Sequence, residues 1–183
     1  MYQKKEKASF KPSGRPRNPR PKNYQFPEEK ITIVAESSTM EGSSIDTRIL
    51  SSYFKSSENN LTSFQKIGMV DIGISKEELE RFKARSGWDY FQLSDILGVA
   101  RAKLIAKKGE ERFDKQVSEK IVSLAELYSY GYEVFEDEVR FNTWVFSPNH
   151  SLAGLAPFDY LDTQFGREEI KDLIGRIDYG VYS

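Results

Sequence analysis

The 183-residue sequence contains no cysteine and a single histidine, His150. Disulfides, thiolate nucleophiles and cysteine-based zinc sites are therefore excluded, and we predict neither a metal nor another cofactor. No apolar run approaches the roughly 20 residues that a membrane helix requires. The N-terminus is basic but lacks the apolar core of a secretory signal, so the cytoplasm is the predicted location and no membrane partner is expected.

The formal net charge of −1 conceals an uneven distribution. Residues 1–23 carry eight cations and one anion, and five of the seven prolines lie at or before residue 27. Such a segment buries too little apolar surface to offset the entropy of ordering, which predicts a disordered basic arm and linker over 1–43. The tripeptide "GRP" resembles the core of an AT-hook, which makes Arg15 and Arg17 candidate DNA contacts. A solubilising tail is the alternative.

From Leu61 onward the hydrophobic pattern is typical of successive amphipathic helices, which predicts an all-α fold. Two helix starts have the spacing of a capping box, Ser75 with Glu78 and Asp89 with Gln92. Glycines at 87 and 98 are placed to end these helices. We expect one helical domain over 44–112 and a second over 113–183.

Further boundaries are predicted from apolar spacing, glycine and proline. Ile45, Ile49 and Tyr53 suggest a short helix. The others are a helix over 100–108, a long helix over 115–130 ended by Gly131, a helix over 136–146, a short helix from Pro157 to Phe165, and a last helix that Gly166 separates from it.

A short helix, the Gly98 turn and a second short helix together indicate a helix-turn-helix. Its inner contacts are predicted from Leu93, Leu97, Val99 and Leu104. The second helix, "ARAKLIAKKG", has no acid and carries four candidate DNA contacts, which are Arg101, Lys103, Lys107 and Lys108. An αα-hairpin with a solvated basic face is the alternative. Ala100 also replaces the usual Ser or Thr cap, and Lys107 stands where an apolar residue is often buried.

Residues 141–158 carry no formal charge, although 30% of the chain is charged. The stretch could be a catalytic pocket, a core loop or a partner surface. His150 lies near Ser151 and Asp159 in sequence, so a Ser-His-Asp set is conceivable. Triads are defined by geometry rather than clustering, and no nucleophile elbow is present. We therefore assign no catalytic residue and predict that the chain is not an enzyme and has no small-molecule substrate.

The segment "FNTWVFSPNHSLAGLAPFDYLDTQFGREEIKDLIGRIDYGVYS" resembles the toxin-binding C-terminal domain of the Xre/MbcA/ParS antitoxin family. The preceding "GISKEELERFKARSGWDYFQLSDILGVARAKLIAKKG" is similar to that family's helix-turn-helix, so the resemblance covers about residues 64–183. One departure is Ala153, where the family often has glycine, and it predicts a different loop geometry. The resemblance and the aromatic pattern give the predicted toxin contacts, which are Trp144, Pro148, Asn149, Leu152, Gly154, Tyr179 and Tyr182.

The resemblance implies a type II antitoxin that forms a homodimer. Such a protein covers the active site of a RES-type toxin that consumes NAD, and it represses its own operon by binding operator DNA. The alternative is a stand-alone helix-turn-helix regulator whose C-terminal domain only dimerises. Two features match what the antitoxin family implies: the basic second helix of the helix-turn-helix, and the uncharged, proline-stiffened C-terminal segment. They favour the antitoxin.

Overall fold

The computed structural model describes residues 45–50 and 56–180, and within these ranges the chain is all-α, as predicted. Seven α-helices and three 3-10 turns occur there, and an isolated bridge pairs Ser75 with Arg112. The α-helices are α1 (Ser63–Ile72), α2 (Lys76–Ser86), α3 (Tyr90–Leu97), α4 (Arg101–Ala106), α5 (Lys115–Phe135), α6 (Glu138–Phe146) and α7 (Gln164–Asp178). The 3-10 turns are Glu58–Asn60, His150–Leu152 and Pro157–Tyr160.

Both predicted capping boxes are present. The Ser75 amide donates to Glu78 Oε2 at 2.8 Å, and the Glu78 amide donates to Ser75 Oγ at 3.2 Å. Asp89 and Gln92 make the equivalent exchange at α3, and Thr62 starts α1 in the same way. Each box satisfies amides that the first helical turn leaves without a partner, so these three starts are encoded locally.

The predicted glycine ends of α2 and α3 are confirmed, with φ of 71° at Gly87 and 69° at Gly98. The helix predicted over 100–108 is shorter, because α4 covers Arg101–Ala106. Ala100 makes no side-chain cap, as its residue type led us to expect.

The prediction that Gly131 ends α5 is wrong, because α5 continues to Phe135 and ends at Glu136 in the left-handed conformation. Gly131 instead lies where α6 packs on α5. A Cβ atom at this position would lie 2.1 Å from Cε2 of the Phe141 ring. The glycine therefore makes room for a neighbouring aromatic ring rather than for a turn.

The predicted separation of the last two helices at Gly166 is also wrong. α7 begins earlier, at Gln164, and the Gly166 amide donates to the capping oxygen Oγ1 of Thr163 at 3.0 Å. A Cβ on Gly166 would lie 1.8 Å from the Tyr160 carbonyl oxygen. Pro157 begins a 3-10 turn that ends at Tyr160, not a helix that reaches Phe165.

The helix suggested around Ile45 and Ile49 is absent from residues 45–50. The carboxylate of Glu58 accepts hydrogen bonds from the amides of Ile49 at 2.9 Å and Leu50 at 2.7 Å. Both apolar side chains are buried. A distant carboxylate thus satisfies the amides that a helix would have used locally.

α5 lies at the centre of the described fold and contacts α1, α2, α3, α6 and α7. Edge-to-face contacts link Phe82, Trp88, Tyr128, Tyr132 and Phe141 within its core. The hydrophobic cluster of the described residues continues across the 112/113 boundary, and the division into two domains there stays a prediction. The arm and linker assigned to 1–43 lie outside these residues.

Glu126 connects three helices through one carboxylate. Its Oε1 accepts from Lys66 of α1 at 2.9 Å and from Lys171 of α7. Burial alone would raise the pKa of Glu126, but hydrogen bonds from Lys171 and Lys66 outweigh it and leave the pKa below its usual value. This cluster fixes α1 and α7 on the same central helix.

Candidate functional site

α3 and α4 form two short helices joined by a fixed turn. Ser94 Oγ donates to the Val99 carbonyl at 2.7 Å, and the Gly98 amide donates to the Ser94 carbonyl at 3.0 Å. The predicted inner residues Leu93, Leu97, Val99 and Leu104 are all buried. The turn and the apolar contacts therefore set the direction of α4.

Three of the four predicted DNA contacts near α4 are exposed, namely Arg101, Lys103 and Lys108. Lys107 is half-buried, and its Nζ lies 5.4 Å from the centre of the Phe113 ring. The attraction between this ammonium group and the aromatic ring explains how a lysine occupies a position that often takes an apolar residue. Arg15 and Arg17 lie outside the described residues.

The uncharged segment forms a compact loop after α6, organised by Asn149. Its Oδ1 accepts from the Ser151 amide at 2.9 Å, and its carbonyl accepts from the amides of Leu152 at 3.1 Å and Gly154 at 2.9 Å. The Asn149 amide donates to the Leu155 carbonyl at 3.0 Å. Leu152 is buried and anchors the loop, so Asn149 and Leu152 shape it from within.

Pro148, Gly154 and Leu155 form the exposed side of this loop. Ala153 has φ 54° and ψ 33°, a left-handed conformation that glycine adopts more easily. Ala153 therefore takes the left-handed conformation that a glycine would also adopt, and the expected difference from the family's loop stays a prediction. The side chains of Asn149 and Leu152 and the hydrogen bonds around them hold it there.

Trp144 is a half-buried member of the aromatic core. Its ring stacks on Phe141 with centroids 5.7 Å apart, and it lies 5.3 Å from the Phe135 ring. Trp144 therefore supports α6 on α5 and offers only part of its ring to a partner.

α7 presents an outward face with an aromatic residue near each end. Phe165 is 81% exposed and Tyr179, which follows the helix, is 83% exposed. The exposed residues between them include Glu168, Glu169 and Asp172. Tyr182 lies outside the described residues.

Sequence reasoning missed Phe165 and Leu155 as surface residues. Phe165 is the second residue of α7, and the helical register that starts at Gln164 turns it outward. The Thr163 cap is the local signal for this start, whereas Gly166 by its residue type suggests a break. Leu155 is 47% exposed at the loop, and apolar character alone does not reveal such exposure.

His150 is exposed in the 3-10 turn His150–Leu152. Asp159 is used to start the next turn, since its Oδ2 accepts from the Ala156 amide at 3.1 Å. This carboxylate therefore has a structural role at the turn. In the ranges that the structure describes, no helix is both long and apolar enough to cross a membrane.

Comparison with known proteins places residues 131–180 in one family, because they match the model for the "Antitoxin Xre/MbcA/ParS C-terminal toxin-binding domain". An "Antitoxin Xre" of Yersinia enterocolitica is 29% identical over 119 residues, which are 64% of this chain and 80% of that protein. An "Antitoxin Xre" of Photorhabdus laumondii is 27% identical over 101 residues, 52% of this chain and 68% of that one.

A "Prs ADP-ribosylating antitoxin" of a Sphingobium species is 23% identical over 128 residues, 64% of this chain and 80% of that one. A chain of the crystal structure of the M. tuberculosis MbcT-MbcA toxin-antitoxin complex aligns with a TM-score of 0.43 and 24% identity, over 55% of this chain and 90% of that chain. Residues 131–180 are thus similar to the toxin-binding domain of the Xre/MbcA/ParS antitoxins, and the similarity to the two Xre relatives extends beyond this domain.

Proposed function

We propose that this chain is an antitoxin that neutralises a cognate RES-type toxin in the cytoplasm by covering the toxin's NAD-consuming active site with residues 131–180. The match of these residues to the toxin-binding domain carries the proposal. The name of the Sphingobium relative mentions ADP-ribosylation, a reaction that uses NAD, and supports a toxin of this class. In this proposal the chain acts by binding and catalyses nothing itself.

The exposed loop after α6 and the outward face of α7 are the proposed toxin contacts. Phe165 and Tyr179 are 14 residues apart, which separates them by about 21 Å along a helix and by about 40° around it. They therefore share one face. Large exposed aromatic side chains are the usual anchors of an interface, and a preformed loop loses little entropy when it binds.

Co-expression of the chain with the RES-type toxin encoded beside it tests the proposal. We expect growth to be restored, and we expect Phe165→Ala to weaken toxin binding by about 30-fold, the usual loss at an anchor residue. Phe91→Ala is a matched control, because Phe91 is also the second residue of its helix and is 59% exposed. Failure of the chain to restore growth would refute neutralisation.

We also propose that α4 contacts operator DNA and that a homodimer contacts two half-sites. Exposed Arg101, Lys103 and Lys108 support this assignment. Arg101→Ala should reduce binding to the DNA upstream of the operon more than binding to unrelated DNA. Deletion of residues 1–24, which contain Arg15 and Arg17, should weaken binding to both DNAs in a salt-dependent manner.

Binding that does not distinguish operator from unrelated DNA would refute repression by α4. Operator binding combined with failed neutralisation would instead favour the stand-alone regulator. The two halves of the proposal are therefore tested independently.

A further inference from the structure

α1 presents an apolar stripe to solvent. Phe64, Ile67 and Ile72 are 86%, 53% and 60% exposed, and their spacing places them on one side of the helix. Gly68 lies on the same side, and a Cβ built there meets nothing within 4 Å. α1 packs against α5, and its residue Met69 is buried.

An apolar cavity of about 260 Å³ opens beside the C-terminal end of this stripe. Most of its exposed lining is apolar, and the lining residues are Met69, Ile72, Gly73 and Ile74 together with Gln65, Gly68, Glu78 and Arg112. A cavity of about 150 Å³ is already large enough to hold benzene, so this one can accept a phenylalanine ring. The exposed ring of Phe64 at one end of α1 and the cavity at the other are thus complementary in shape and chemistry.

We propose that α1 packs antiparallel against α1 of a second copy of this chain, with each Phe64 ring in the other copy's cavity. This inference rests on the homodimer of the proposed function and assigns its surface. Gly68 is four residues after Phe64 and four before Ile72, so a two-fold axis at Gly68 brings each Phe64 opposite the other Ile72, about 6 Å from the axis along the helix. The missing Cβ of Gly68 lets the two helices approach closely.

The charges favour a second copy as the occupant of this face. The anion on the stripe, Asp71, is already paired with Lys115 at 2.6 Å, so two copies do not bring unpaired like charges together. The face around Phe165 is different, because Glu168 and Asp172 would oppose their own copies across a two-fold axis. Self-association is therefore expected at Phe64, and Phe165 remains available to another protein.

Because the chain has no cysteine, a single introduced thiol reports directly on the proposed axis. Gly68→Cys should form a disulfide between two copies under mild oxidation, since residues at a two-fold axis can approach within the roughly 7 Å between Cα atoms that a disulfide permits. Ala84→Cys, at an exposed position on α2, is the control and should remain monomeric on a non-reducing gel. Equal cross-linking of the two variants would overturn the inference.

Sedimentation equilibrium of the full chain provides the second measurement. Phe64→Ala removes two anchors from the symmetric interface and should raise the dimer dissociation constant by at least about 100-fold, whereas Phe165→Ala should leave it unchanged. Circular dichroism melting verifies that both variants fold. A wild-type chain that is monomeric at about 100 µM, well above micromolar affinity, or a dimer insensitive to Phe64→Ala would overturn the inference.

Toxin neutralisation separates this inference from the proposed function. A dimer that depends on Phe64 but does not neutralise the toxin supports the α1 interface and refutes the proposed function. Neutralisation by a chain that is monomeric, or that dimerises without Phe64, supports the proposed function and refutes the α1 interface.

Discussion

Gly131→Ala is expected to destabilise the protein, although alanine is the better helix former. Gly131 lies inside α5, where replacing glycine by alanine normally contributes about 1 kcal/mol of stability. At this position the new methyl group would lie 2.1, 2.2 and 2.6 Å from three atoms of the Phe141 ring. The outcome depends on whether that ring can move away.

Phe141 has little freedom to move. It is fully buried, and its ring contacts Tyr128, Tyr132, Phe135 and Trp144 with centroid separations of 5.1 to 5.7 Å. Overpacking of such a core costs about 3 kcal/mol, which exceeds the gain in helix propensity. We expect a net loss of about 2 kcal/mol and a melting temperature lower by about 4–8 °C.

Gly175→Ala in α7 is the matched control, because its Cβ would lie an ordinary 3.5 Å from Tyr130 Oη. It should stabilise the protein by about 0.5–1 kcal/mol, so the two substitutions differ in sign. Urea denaturation of both variants measures the difference. Phe141→Leu should relieve the contact and show a coupling energy of at least about 1 kcal/mol with Gly131→Ala. If Gly131→Ala is as stable as Gly175→Ala, the reasoning is wrong.

Three further predictions concern stability in denaturation experiments. Ala153→Gly should stabilise the protein by about 0.5–1 kcal/mol, since it removes the cost of an alanine in the left-handed conformation. A loss of stability would show that the Ala153 backbone is not strained. Tyr128→Phe should cost about 1–3 kcal/mol, because the Trp88 indole N–H, which donates to Tyr128 Oη at 2.7 Å, would be buried without a partner. Glu126→Gln should cost about 1 kcal/mol at pH 7, a figure that allows for solvent screening of the lysines. Because the pKa of Glu126 is lowered in the folded state, the stability difference between wild type and variant is fully present above the unfolded pKa of about 4.3. It disappears as the pH falls through the folded pKa. A stability difference unaffected by pH would refute the lowered pKa.

The surface assignments show where an apolar pattern is ambiguous. Leu152 and Leu155 lie three residues apart in one uncharged loop, yet Leu152 is 5% exposed and Leu155 is 47% exposed. Phe141 and Phe165 show the same contrast between the core and the outward face of α7. Hydrophobicity identifies residues able to be buried, but only the positions of neighbouring elements determine which of them are covered.

The all-α class, the helix starts at Ser75 and Asp89 and the glycine ends at Gly87 and Gly98 could all be predicted from the amino-acid sequence. These features depend on hydrogen bonds and torsions within four residues, so a local pattern is sufficient to predict them. Contacts between elements, by contrast, make Gly131 and Gly166 packing residues, and they give the amides of Ile49 and Leu50 the Glu58 carboxylate as a partner in place of a helix. In each of these cases the partner comes from another element: the Phe141 ring, the Tyr160 carbonyl or a carboxylate eight or nine residues away. A glycine is therefore a turn residue or a packing residue according to which neighbours the fold places beside it.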